Sequence, residues 1–225
     1  MARLAIARRA DLPRLRPGVE GGARQENRRK RTEALLDAAL GLFLERGVEA
    51  VAIDDIVHRA RVAKGSFYRY FRDKPDMVAA ILAPLTSRLD GAFATARTAL
   101  GAARTADETS EAYQLLAAEL GAGILDHPKA TLLYLQESRT PGRGAARPVR
   151  RTAAALAEHA LELTRIAHER GLLRPIDPKV SSLAVIGAVE RLLHALLTDE
   201  GLADPLSVPD ALVSMVLDGL RPRAA

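Results

Sequence analysis

RARVAKGSFYRYFRDK, residues 59–74, places Phe67, Tyr68, Tyr70 and Phe71 within five consecutive positions, half of the four Phe and four Tyr in the chain. Arg69 interleaves them, and Lys64, Arg72 and Lys74 flank them. Wound as a helix, Phe67 and Phe71 are four apart and share one face, which with the preceding Val62 is the inner one. At ~100° per residue, Gly65 and Arg69 point away from that face, with Ser66, Tyr68 and Tyr70 on its flanks and Lys64 near its start. Such an outward row suits a helix lying in a DNA major groove. Gly65 admits close backbone approach, Arg69 or Lys64 reaches guanine O6 and N7, and Ser66 and the tyrosine hydroxyls reach phosphates.

Upstream, TEALLDAALGLFLER (32–46) repeats Leu35, Leu36, Ala39, Leu40, Phe43 and Leu44 on one broad face, and Gly47 follows where a left-handed residue closes a helix. A short helix fits Ile53 to Ala60, with Asp54 and Asp55 favourable in its first turn. A tight break at Arg61-Val62 then leads into a third helix from Ala63 to about Phe71. Two short helices and a tight turn ahead of an outward-reading helix make a helix-turn-helix.

From about Lys30 to Leu82 the chain resembles the DNA-binding domain of the TetR family of bacterial transcription regulators. The resemblance rests on ALLDAALGLFLERG, DDIVHRA, V-x-K-G-S-F-Y-R-Y-F and the Asp73-Lys74 opening of the next helix. It implies that Lys64, Gly65, Ser66, Tyr68 and Arg69 face the groove and that Tyr70 and Lys74 hold backbone phosphates. Three positions depart from the family pattern. Ala52 and Ala63 stand where Thr or Ser usually caps helices 2 and 3, each loss costing roughly 1 kcal/mol. Arg61 occupies a turn position usually held by Gly, where a positive φ strains other residues; it is also a candidate phosphate contact.

Beyond this segment the pattern predicts more helices. Asp73-Lys-Pro-Asp76 opens a long one with the stripe Met77, Ile81, Leu85, Leu89 and Phe93 and an internal Pro84 expected to kink it. Others are expected from Thr109 or Ser110, from His127-Pro128, and from about Arg150 to Glu169. PGRGAARPVRR (141–151) is expected to be a basic loop. Asp177-Pro178 and Ser207-Val-Pro-Asp210 open two C-terminal helices with more apolar face than one core can cover. In TetR-like proteins the corresponding helices form a four-helix bundle across a two-fold axis, which assigns Leu183, Ile186, Gly187, Leu193, Leu197, Leu212, Val216 and Leu220 to a dimer interface.

Composition fits this outline. The 225 residues are 48% hydrophobic with few β-branched runs and no alternating segment, an all-α balance. Residues 1–31 carry ten basic residues against three acidic ones, a net of +7, so 32–225 sum to −2. A terminal block of like charge reads as a solvated arm of the kind that binds nucleic acid. No cysteine is present, no apolar run approaches the ~20 residues that span a bilayer, and the start lacks a secretory core, so a cytoplasmic protein is expected. The five His show no i, i+4 pair, and no nucleophile elbow, P-loop or dinucleotide fingerprint occurs, which argues against an enzyme.

The sequence therefore predicts a basic disordered arm (1–27), a helix-turn-helix DNA-binding domain (28–74) and a larger helical ligand-binding and dimerisation domain (75–225). Expected partners are double-stranded DNA at a palindromic operator, a second copy of the chain and a small-molecule inducer, with no cofactor, metal or membrane. Phe93, Tyr113, Tyr134, Gln136 and His159 are the candidate ligand contacts. Since few rings are available to stack, an aliphatic or acyl-chain inducer is favoured over a planar dye. The alternative is a dimer controlled by a protein partner, or organising DNA without a ligand.

Overall fold

The computed structural model describes residues 23–140, 144–202, 204 and 207–220, which form helices joined by short turns with no strand among them. In order these are α1 (Ala23–Arg46), α2 (Ile53–Arg59), α3 (Lys64–Tyr70), α4 (Lys74–Ala102), α5 (Ala106–Asp126), α6 (Pro128–Glu137), α7 (Arg147–Glu169), α8 (Pro178–Leu197) and α9 (Val208–Leu220). A 3-10 turn, Gly144–Ala146, precedes α7.

The N-terminal punctuation follows local chemistry. Gly47, at φ 80°, donates its N–H to Phe43 O (2.8 Å) and ends α1. Neither Ala52 nor Ala63 caps its helix with a side chain. At Ala52 the Asp55 carboxylate partly compensates, accepting the Ala52 N–H at 3.0 Å. Arg61 sits at φ 54°, the left-handed conformation that its place in the turn implied. Asp73 caps α4 by accepting from Asp76 N–H (2.8 Å), and the helix runs through the exposed Pro84 without a break.

Three boundaries differ from expectation. α1 starts at Ala23, so the last five residues of the expected arm are helical; residues 1–22 lie outside the described residues. α5 starts a turn before Thr109, because Thr105 and Glu108 form a reciprocal capping box (3.2 and 3.1 Å). The expected loop 141–151 is helical from Gly144 onward, because Ala145, Ala146 and Val149 bury their side chains in the core; residues 141–143 are not described.

Two apolar clusters lie along α4. The first surrounds Phe67 and Phe71 with Leu35, Ala39 and Phe43 of α1, Ile56 and Val57 of α2, and Met77, Val78, Ile81, Leu82 and Leu85 of α4. It continues into α6 (Leu133, Tyr134) and the start of α7 (Val149), so it crosses the boundary expected at 74/75. The second packs Ala92, Phe93, Ala96 and Leu100 of α4 on Leu116 of α5 and Leu163 of α7. Contrary to the sequence expectation, α4 and α8 are both long and apolar enough to cross a membrane by length and composition. α4 buries its apolar stripe in both clusters, whereas α8 buries only Ser181, Ser182 and Ala195.

Candidate nucleic-acid interface

α3 is held from behind and open in front. Phe67 is fully buried; its ring meets Phe71 at 5.7 Å and Tyr68 edge-on at 5.3 Å. Lys64, Gly65, Tyr68 and Arg69 are exposed and Ser66 is half-buried. A Cβ added at Gly65 would meet nothing within 4 Å, so this glycine leaves an open notch on the outer face. Arg69 makes no hydrogen bond or ion pair among the described residues. Lys64 is held by Asp54 of α2 at 2.7 Å, which raises its pKa through that hydrogen bond and the opposite charge. Arg61 is exposed at the turn.

α2 is braced against α1 by Arg59–Glu45 (2.8 Å) and Arg46–Asp55 (3.2 Å). Gly41 leaves room for the Arg59 guanidinium, whose hydrogen bond holds the Glu45 carboxyl below its usual range. These exposed pairs position α2 more than they stabilise it.

Lys74 is the clearest departure from the residue roles that the resemblance implied. Its ammonium donates to Val48 O (2.8 Å), Glu49 O (3.0 Å) and Val51 O (2.8 Å), which uses all three of its donors on the turn between α1 and α2 rather than on phosphate. The same turn is gripped from the helical body. Buried Glu137, at the end of α6, accepts Val48 N–H at 2.8 Å, and Gln136 donates to Phe43 O at 3.4 Å. In return Glu49 accepts Ala146 N–H at 3.0 Å, with its carboxylate against Gly144, where a Cβ would clash at 2.7 Å. Sequence reasoning missed Glu49 and Glu137, because nothing near either position says that its partner lies 97 or 89 residues away.

The five candidate ligand contacts do not surround one cavity. Phe93 and His159 stack at 5.1 Å beside the second cluster, with His159 also near Asp90 (3.3 Å) and Arg97 (3.5 Å). Tyr113 packs on the same cluster, where desolvation raises its phenol to about 12. Tyr134 belongs instead to the first cluster. Its hydroxyl donates to Glu190 of α8 at 2.6 Å, and burial first, then that carboxylate, raise its pKa. Gln136 is exposed and turned toward α1. A cleft of about 260 Å³ between α4 and α7 is lined by Thr86, Leu89, Asp90, Arg151, Thr152 and Leu156 and includes none of the five.

On α8, Leu183 is 55% exposed, and Ile186, Gly187, Leu193 and Leu197 are each only partly covered. Leu212 and Val216 of α9 are likewise partly covered, Met215 is 74% exposed, and the Leu220 side chain lies outside the described residues.

Known proteins resemble the chain in the sequence of this segment and in the fold. The family model described as "Bacterial regulatory proteins, tetR family" matches residues 35–81. The transposon Tn10 TetC protein of Escherichia coli is 37% identical over 76 residues, 34% of this chain and 38% of TetC. The HTH-type transcriptional repressor KstR of Rhodococcus jostii is 42% identical over 66 residues, 29% of this chain and 30% of KstR. The chain thus spans well under half the length of these curated relatives. Among solved structures, NalD of Pseudomonas aeruginosa, the secondary repressor of the MexAB-OprM multidrug efflux pump, superposes with a TM-score of 0.64 at 22% identity, covering 88% of this chain and 100% of NalD. Residues 35–81 thus carry the DNA-binding segment of the TetR family of bacterial regulatory proteins, and over most of its length the chain shares the fold of NalD.

Proposed function

We propose that the protein is a cytoplasmic, DNA-binding transcriptional repressor with no enzymatic step, acting as a homodimer on a palindromic operator. One observation carries this reading: α3 anchors Phe67 in the core while Gly65, Tyr68 and Arg69, which pairs with no other described residue, stand open on its other face. Reading base edges requires this arrangement, a rigid helix whose donors are not already spent inside the protein. The uncovered apolar face of α8 and α9 supports the two-fold partner.

The test is to sequence duplex fragments selected by the pure protein from a random pool. The expected result is an inverted repeat with half-site centres about one turn, ~34–36 Å, or somewhat more apart. Fragments with no common sequence would reject the reading.

For release from DNA, a small molecule with aliphatic character is the first trigger to test, since the second cluster offers mainly Ala and Leu walls beside Phe93, Tyr113 and His159. By reciprocity, operator DNA would weaken its binding by the factor it weakens DNA binding. Control by a protein partner is favoured by a different observation: the α4–α7 cleft, at about 260 Å³, is small for a ligand site and touches none of the expected contacts. Titrating the DNA complex with fatty acids, acyl thioesters and planar cations separates the two. Release by the first two supports the aliphatic trigger, release by planar cations alone overturns it, and no release by any of them supports the partner.

A further inference from the structure

The start of α1 carries four consecutive cations, Arg28, Arg29, Lys30 and Arg31, outside the 35–81 segment that defines the family match. They are not equivalent. Arg29 is paired with Glu26 (3.2 Å) and Glu33 (3.7 Å), and Lys30 with Glu26 (3.5 Å), so their charge is answered on the same helix. Arg28 makes no ion pair among the described residues. Its guanidinium lies over the ring of Tyr70, the last residue of α3, at 6.0 Å from the centroid. The two residues border a groove of about 650 Å³ whose wall also includes Gln25, Thr32 and the mutually paired Glu26, Arg29 and Glu33, so Arg28 is the cation on it whose charge no carboxylate among the described residues answers.

A guanidinium held near a ring by cation–π attraction spends none of its N–H groups on that contact and keeps them for a phosphate oxygen. Tyr70 also follows Arg69 directly, so a duplex lying along α3 passes beside the Arg28–Tyr70 pair. From these observations we infer that Arg28 is a contact to the DNA backbone lying outside the helix-turn-helix, and that the Tyr70 ring is the positioning residue that aims it. This inference rests on the DNA-binding reading. Duplex phosphate, rather than another anion, is the target because the pair borders the open face of α3. The contact adds to affinity on every sequence alike, since a phosphate carries no base identity.

The test uses the full-length protein and a labelled duplex of random sequence, about 30 base pairs long, with affinity read by anisotropy between roughly 50 and 200 mM KCl. Arg28→Ala is expected to lower the slope of log K against log salt by about 0.9, one phosphate's share. Arg29→Ala, which removes a charge already paired, is the control and leaves the slope near the wild-type value. Tyr70→Leu lowers the slope like Arg28→Ala, whereas Tyr70→Phe, which keeps the ring, holds the slope at the wild-type value even where loss of the hydroxyl lowers the affinity, since a neutral contact releases no counterion. Thermal melts of all four variants exclude simple unfolding; a Tyr70→Leu chain that fails to fold leaves Arg28→Ala and Tyr70→Phe to decide. An unchanged slope in Arg28→Ala, or an equal loss in Arg29→Ala, overturns the inference while wild-type binding leaves the DNA-binding reading intact. No duplex binding by the wild type overturns both.

Discussion

α3 and α8 expose themselves in opposite ways. α3 is seven residues long, buries Phe67 and turns Lys, Gly, Tyr and Arg outward. α8 is twenty residues long, yet it buries only Ser181, Ser182 and Ala195 and leaves Val180 and Leu183 60% and 55% exposed, with a row of half-covered Val, Ile and Leu. The outer face of α3 costs nothing in water and gains when phosphates and bases replace that water. The outer face of α8 is uncomfortable in water, each Å² left uncovered forgoing about 25 cal/mol. A polar exposed face thus points to a hydrated, charged partner, and an apolar one to a second protein surface.

The largest test of that contrast is a charge on the apolar side. Leu193→Glu or Val216→Glu is expected to convert dimer into monomer or aggregate in a sizing experiment, because a carboxylate left without a partner at an apolar seam is too costly to bury. A well-folded wild-type monomer at micromolar concentration would break the comparison outright.

Next in size is the junction that joins α3 to the rest. Glu137→Ala removes the acceptor of the buried Val48 N–H and is expected to cost about 1–3 kcal/mol in a denaturant melt, whereas Glu137→Gln keeps an acceptor and costs less than about 1 kcal/mol. Lys74→Ala should resemble Glu137→Ala in stability, since three turn carbonyls lose their donor. A loss of DNA affinity with unchanged stability would return Lys74 to the phosphate role that the family resemblance implies.

On the polar side, Arg69→Ala is expected to cost about 1–3 kcal/mol of affinity on the selected operator and to relax preference at one base position, with little change on random DNA. Equal losses on both would make Arg69 a backbone contact. A smaller effect, of opposite sign, comes from the turn. Arg61→Gly relieves the strain at φ 54° and is expected to raise stability by about 0.5–1 kcal/mol after the entropy of the added glycine.

The smallest effect lies at the end of α8. Hydrogen bonds from Arg191 first, then His194 and Thr198, hold the Glu200 carboxyl at about 2, below the ordinary 4.5. A depressed carboxyl contributes above its ordinary pKa and loses that contribution as pH falls through the folded value. The protection of the Thr198 and Glu200 amides, taken relative to intrinsic exchange at each pH, is therefore expected to fall between pH 4.5 and about 2, with that of the helix centre unchanged.

Most of α1 to α4 was legible because their instructions are local. The i, i+4 pair Phe67 and Phe71, the Gly47 stop, the Asp73 cap and the positive φ forced at Arg61 all act within a turn or two of chain, and their spacing survives in the linear text. Some local signals were present but unread, such as the Thr105–Glu108 box, which the later Thr109 and Ser110 obscured. The apolar excess of α8 and α9 was also visible, since it is a property of composition.

What only the tertiary structure decided are the pairings whose partners lie far apart. The resemblance implied a phosphate contact for Lys74; only the fold shows its ammonium among three carbonyls 23 to 26 residues away. Gln136 and Tyr134 looked like ligand contacts until one reached Phe43 and the other Glu190. Arg28 was one cation among four until α1 extended back to Ala23 and laid it on Tyr70. Helix identity and the inward or outward sense of each face follow from periodicity, which is short-ranged and fixed by the sequence. Which donor meets which acceptor depends on how whole helices pack, and the chain carries no local signal for it.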